Sequence, residues 1–178
     1  MNIFCLDRNP KIAAEYNCDK HVGKIFLEIC QMLTYLVPDE MLNFAPKTAN
    51  DEIRQKPARH YNHPVSKFVR ATTGNLDWVI DHAYYLDEER IWRSYGKKKT
   101  HFSKQFLDWF VDHRGFFEVP SGDLTEFSVA INVDMKCRTQ TNFEELSVID
   151  QYRLYYIYDK PFATWKRRGV PYWHNVLV

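Results

Sequence analysis

Apolar residues recur at Val22, Ile25, Phe26, Ile29, Cys30 and Leu33, the three-and-four spacing of a helix that buries one side. Asp19 stands before this run as an N-cap and Pro38 after it as a stop, which predicts a helix over 20–37. Ahead of it, the short apolar run NIFCL is followed by Asn9 and Pro10, the residues of an N-cap and a first helical position, for a short helix ending at Tyr16. His63 before Pro64 opens a further helical pattern that runs to Tyr95, where Gly96 ends it and Gly74 with Asn75 offers a break or kink. Residues 101–113 place Phe102, Phe106, Trp109 and Phe110 on one face of another helix, and 144–158 predict a last one.

Between these elements the pattern lapses. The stretch PDEMLNFAPKTANDEIRQKPAR has three prolines and few periodic apolar positions, so a long loop is expected there. FSVAINV at 127–133 fits a short strand or an extended loop, and the tail FATWKRRGVPYW is too rich in Pro, Gly and rings for a helix. With no internal repeat and no linker-like segment, the expected architecture is mainly α, one helical domain over 1–178 with long loops and little or no sheet.

Composition narrows the functional classes. The 24 basic and 23 acidic residues leave a formal charge of +1, so nucleic-acid binding has to rest on a local patch and not on a global field. Cys5, Cys18, Cys30 and Cys137 form no CxxC pair and no secretory leader precedes them, which implies reduced thiols in the cytoplasm. No apolar run approaches the ~20 residues of a membrane-spanning helix. Only six glycines are present, and no phosphate-cradling Gly-rich loop, dinucleotide fingerprint or Ser/His/Asp nucleophile motif occurs.

Candidate chemistry falls in four places. Lys20, His21, Lys24, Glu28 and Gln31 project within an arc of roughly 100° on the first long helix, either as its solvated face or as one wall of a site. Arg59, His60, Asn62 and His63 crowd ahead of the Pro64 helix start, where Asn caps and backbone N–H groups attract phosphate. Cys18-x-x-His21 with His60-x-x-His63 supplies metal-ligand types, although zinc sites favour other spacings, and neither a metal nor a cofactor is expected. In the tail, Trp165 and Tyr172 flank Lys166 and Arg167, which suits either a nucleic-acid strand or rings stapled to the core with their cations in water. The KKK run at 97–99 follows a helix end, where solvated cations are ordinary.

The runs MNIFCLDRNPKIAAEYNCDKHVGKIFLEICQML, YNHP, GNLDW, RSYGK and FATWKRRGVPYW resemble a family of small, largely uncharacterised proteins of bacterial viruses over nearly the whole chain. More distantly, the order of a short N-terminal apolar segment, an early helix with a carboxylate, NHP before a long helix and an aromatic ending is similar to the pyrimidine-dimer DNA glycosylases. That resemblance implies a helical domain that binds damaged DNA, an amine that attacks the sugar C1′, and an assisting glutamate. Glu28 matches the glutamate, and Asn62 with His63 match the NHP segment. Asn2 follows Met1 here, a departure from the family's processed terminus, so the amine would be that of Met1, Lys20 or Lys24.

On this basis the expected function is a viral DNA glycosylase-like enzyme acting on damaged or modified pyrimidine nucleotides in the cytoplasm of an infected cell. Glu28 stabilises charge or acts as base; Lys20 or Lys24 supplies the amine or tunes Glu28; His21 and His63 move protons. Arg59, His60, Asn62, Arg70, Lys166 and Arg167 hold phosphate, and Trp78, Trp165 or Tyr172 stacks the exposed base. Two other readings stay open: a transferase that modifies bases of viral DNA, and a non-catalytic counter-defence protein that binds a nucleotide or host partner. In the first two cases the partner is DNA, and in every case no membrane is involved.

Overall fold

The computed structural model describes residues 1–176, and they form helices α1 (Pro10–Tyr16), α2 (His21–Leu33), α3 (Asp39–Leu42), α4 (Pro64–Ala71), α5 (Thr73–Arg93), α6 (Lys104–Asp112), α7 (Val148–Asp159) and α8 (Tyr172–Val176), with four short 3-10 turns and no strand. The mainly helical expectation holds. FSVAINV forms neither strand nor helix, with Phe127 and Ile131 turned into the core and Val133 in solvent. Among the described residues no helix is long and apolar enough to cross a membrane.

α5, roughly 30 Å long at 1.5 Å per residue, is the central element, and α1, α2 and α4 pack along it. Its buried residues include Leu76, Val79, Ala83 and Leu86, and they meet Ile25, Phe26, Ile29 and Leu33 of α2 in one continuous core. Residues Ile3–Leu6 thread that core outside any helix, with almost no exposure. Arg153 of α7 holds the Leu6 carbonyl at 3.1 Å, Trp78 holds the Arg8 carbonyl at 2.7 Å and His82 the Pro10 carbonyl at 2.9 Å, so the buried backbone finds partners without a sheet.

Local signals succeed where the partner is local. Asn9 caps α1 by accepting from the Lys11 and Ile12 amides at 2.9 and 3.2 Å, with Pro10 at the first helical position. α5 ends with the Gly96 amide on the Ile91 carbonyl at 3.0 Å and the Tyr95 amide on Trp92 at 2.9 Å, a Schellman turn.

Other expectations need correction. Asp19 does not cap α2, because its carboxylate binds Arg93 at 2.9 Å, Thr164 Oγ1 at 3.0 Å and the Lys166 amide at 3.0 Å. The helix expected over 20–37 ends at Leu33 and tightens to a 3-10 turn over Thr34–Leu36. The 63–95 segment breaks at Thr72, two residues before Gly74. Thr72 is extended (φ −146°, ψ 161°) and its hydroxyl caps α5 by accepting from the Asn75 amide at 3.1 Å. Gly74 instead makes room for a neighbouring segment. A Cβ there would lie 2.4 Å from the Leu124 amide nitrogen and 2.5 Å from the Asp123 carbonyl carbon, so residues 120–125 pack flush on the helix start. Buried Asn75 clamps that segment, accepting from the Thr125 amide at 2.8 Å and donating to the Phe68 carbonyl at 2.9 Å.

Phe106 and Phe110 are buried on α6, but Phe102 lies before the helix and is exposed. The last long helix, expected from residue 144, starts at Val148 because Ser147 caps it by accepting from the Asp150 amide. The long 38–59 loop contains the single turn of α3 and is tied down by buried Arg54, which binds the Pro46 carbonyl at 2.7 Å and lies over Phe106. The tail is irregular until the short α8.

Candidate functional site

Glu28 sits on the third turn of α2 with its side chain only 14 % exposed. Its Oε2 accepts from the backbone N–H of Asn2 at 2.7 Å, and Oε1 lies 3.7 Å from Lys24 Nζ, one helical turn back. Asn2 is itself fixed, donating to the Ala130 carbonyl at 3.0 Å and accepting from the Tyr152 hydroxyl at 3.1 Å. The start of the chain is therefore pinned against the middle of α2.

The RHYNHP segment approaches the same place. His63 has the extended backbone that a following proline demands, and Pro64 opens α4. The His63 and His60 rings lie 6.0 Å apart, and His63 Nδ1 is enclosed without a hydrogen-bond partner. Burial first, then the positive charges of the Met1 amino group and His60, push the His63 pKa below its ordinary value, while the Glu28 carboxylate pulls it back up. His63 thus lies within electrostatic reach of Glu28, the Met1 amine and His60. Arg59 and Asn62 are exposed at the turn that leads into it.

The other residues of the α2 stripe part company. His21, expected to line a cleft and move protons, is instead buried in an aromatic cage, stacked on Phe4 at 4.8 Å and edge-on to Phe162 at 5.6 Å. The Asn17 amide donates to the Ala13 carbonyl at 2.9 Å, which turns its oxygen toward the Tyr156 hydroxyl, also at 2.9 Å. Tyr156 donates to that oxygen and so accepts from His21 Nδ1–H at 2.5 Å. Burial, with Lys160, Lys24 and Lys20 nearby, lowers the His21 pKa to about 3 and keeps the ring neutral. Lys20 turns from Glu28 toward the tail, its ammonium 4.4 Å from the Phe162 ring centre.

Two of the rings expected to stack a base are structural. Trp78 and Trp165 are 5 % and 4 % exposed and donate to the Arg8 and Tyr16 carbonyls, so neither presents a face to solvent. Tyr172 is exposed, with Arg153 5.9 Å from its ring centre. Arg70 donates to the Ser66 carbonyl at 3.0 Å and the Tyr61 carbonyl at 2.6 Å and stacks 3.7 Å from the Tyr61 ring.

Arg70 lines an open cavity of about 620 Å³ with Tyr35, Tyr61, Lys67 and Phe116. A second cavity of about 390 Å³ lies at the start of α2, where Lys20 and Lys166 meet Arg90, Lys98 and Arg167 around the already engaged Asp19. The spacing of residues along the chain pointed to neither Arg90, Lys98, Lys67 nor Phe116. Their only sequence signal was a cation or ring beside a helix end, which is common on any surface. Among the described residues no three His, Cys, Asp or Glu side chains group as metal ligands: Cys18 is buried, His21 faces Tyr156, and His60 and His63 stand elsewhere. Compared with family models, curated proteins and solved structures, the chain matches none.

Proposed function

We propose that the chain is a DNA glycosylase-like enzyme of a bacterial virus, acting in the host cytoplasm on damaged or modified pyrimidine nucleotides. One observation carries this reading: a mostly buried carboxylate, Glu28, fixed by the Asn2 amide, with primary amines and His63 around it. A carboxylate held in that way stabilises the positive charge that grows on a sugar as its base departs. It also accepts a proton from an attacking amine. The amine nitrogen bonds to C1′ as the glycosidic bond breaks, the base leaves with the bonding pair, and the nitrogen's proton passes to Glu28. Opening of the sugar ring then gives an imine that borohydride reduces to a stable link.

Lys24 at 3.7 Å and the Met1 amino group are the amines beside Glu28, and Lys20 has turned away to the tail. Incubation with DNA containing an abasic site and borohydride is expected to give a covalent adduct, absent in whichever of Lys24→Gln or an N-terminally extended chain lacks the reacting amine. An adduct in neither the native chain nor any variant sinks the amine mechanism. A binding protein without catalysis draws support from the 620 Å³ cavity, whose rings and cations suit a nucleotide without any role for Glu28. In that case Glu28→Gln leaves every measurable property of binding unchanged and there is no turnover to lose.

A further inference from the structure

The C-terminal end of α5 and the tail turn that faces it combine a cationic cavity with an exposed aromatic ring. The cavity concentrates charge that the chain as a whole, at +1, does not have. Its one carboxylate, Asp19, is consumed by Arg93, Thr164 and the Lys166 amide. Arg93 is consumed in turn by Glu89 at 2.7 Å and the Glu15 carbonyl at 2.8 Å. Lys20, Lys98 and Lys166 are left with no carboxylate within 4 Å among the described residues.

The frame around them is held. Trp165 anchors one end of the tail turn on the Tyr16 carbonyl, and the Gly169 amide closes it on the Trp165 carbonyl at 2.9 Å, so Lys166 and Arg167 are carried on a fixed loop. On the other wall, the Lys98 amide donates to the Ser94 hydroxyl at 2.9 Å.

Arg167 joins this cavity to a second one of about 530 Å³ lined by Trp92, Tyr95 and Ile91. Its guanidinium lies 4.0 Å from the Trp92 ring centre and 4.1 Å from that of Tyr95. Tyr95 is 71 % exposed, and its backbone is left-handed (φ 57°), a conformation costly for a bulky side chain at a position where glycine is usual. The Tyr95 ring thus stands largely in solvent beside the Arg167 guanidinium, on a backbone that glycine would hold without strain.

We infer that this junction binds one unpaired nucleotide unit of single-stranded nucleic acid, with the backbone phosphate in the Lys20, Lys98 and Lys166 cavity and the base on the Tyr95 ring. The inference rests on nucleic acid as the partner in the reading above, but not on the chemistry at Glu28. Lys20, the residue before α2, stands eight residues from Glu28, about 12 Å along the axis, so the junction is separate from that carboxylate.

The test is a fluorescence titration of the full chain with a lesion-free ten-residue oligothymidylate across a range of salt, beside a duplex of the same strand. Tyr95→Gly relieves the left-handed backbone, so its Tm is expected to hold or rise while affinity falls about five- to a hundredfold. Lys98→Gln with Lys166→Gln is expected to lower the slope of log affinity on log salt by about 0.7 for each phosphate that a lysine no longer neutralises. Unchanged affinity in Tyr95→Gly, an unchanged slope in the lysine variant, or preference for the duplex overturns the inference. Glu28→Gln is expected to bind this oligomer like the native chain. A missing borohydride adduct alongside intact, Tyr95-dependent binding therefore removes the glycosylase reading and leaves this site standing.

Discussion

The first and third turns of α2 carry residues of the same kind on the same stripe, and the fold treats them in opposite ways. At the beginning, His21 is closed in by Phe4, Phe162 and Tyr156 and hydrogen-bonded to the last of these, while Asp19 is spent on Arg93 and the tail. Seven residues after His21, Glu28 meets only a backbone amide and a solvated lysine, with half-buried His63 nearby. The difference lies in what packs against each turn. α7 and the tail bring rings and a hydroxyl to the first, whereas the Asn2 backbone brings an amide donor to the third, with His63 of the RHYNHP turn within electrostatic reach. A polar stripe is thus neither a face nor a site until its neighbours are known.

The comparison is sharpest in turnover. Glu28→Gln keeps an oxygen to accept the Asn2 amide, so the fold is expected to survive while cleavage of a modified pyrimidine falls by about 10²–10⁴ in single-turnover assays and DNA affinity holds. Survival of the full rate would make the third turn of α2 as structural as the first. At the first turn the expected loss is in stability: Tyr156→Phe strands the Asn17 oxygen and His21 Nδ1–H in the core and is expected to cost about 2–4 kcal/mol in urea unfolding. Any reaction at Glu28 should be untouched in the folded fraction.

Acid probes the same cage. His21, with its pKa lowered to about 3, and His82, lowered to about 4 by burial, both stay neutral in the fold and take up a proton on unfolding near their ordinary value of 6.5. Their contribution is complete above pH 6.5 and is lost as pH falls toward 3 for His21 and 4 for His82. The unfolding free energy is expected to decline by up to about 1.4 kcal/mol per pH unit for each histidine. His21→Phe should remove about half of that slope, and a slope that does not change means the cage is not dry. The smallest expected effect is at the cap that became an anchor: Asp19→Ala should cost about 1–2 kcal/mol and free the tail turn, seen as faster amide exchange at Lys166.

Local rules located α1, the end of α5 at Gly96 and the Pro64 helix start, because Asn9, Gly96 and Pro64 act within one turn of themselves. The amphipathic face of α2 was equally legible, and so was the mainly helical class. The break at Thr72 was not, since Gly74 is there to admit the Leu124 backbone, which lies 50 residues further along the chain. Nor were the positions of Trp78 and Trp165, whose indole N–H groups are spent on distant carbonyls and so are lost to any ligand. Periodicity states which residues share a helix face but says nothing of what faces them. By itself the sequence determined where the longer helices lie, though not the short α3 and α8, and that Lys20, His21, Lys24 and Glu28 share a stripe. Only the tertiary structure decided that His21 is sealed, that Lys20 joins Lys98 and Lys166, and that Glu28 holds the Asn2 amide, because burial, desolvation and pairing depend on chain brought from elsewhere.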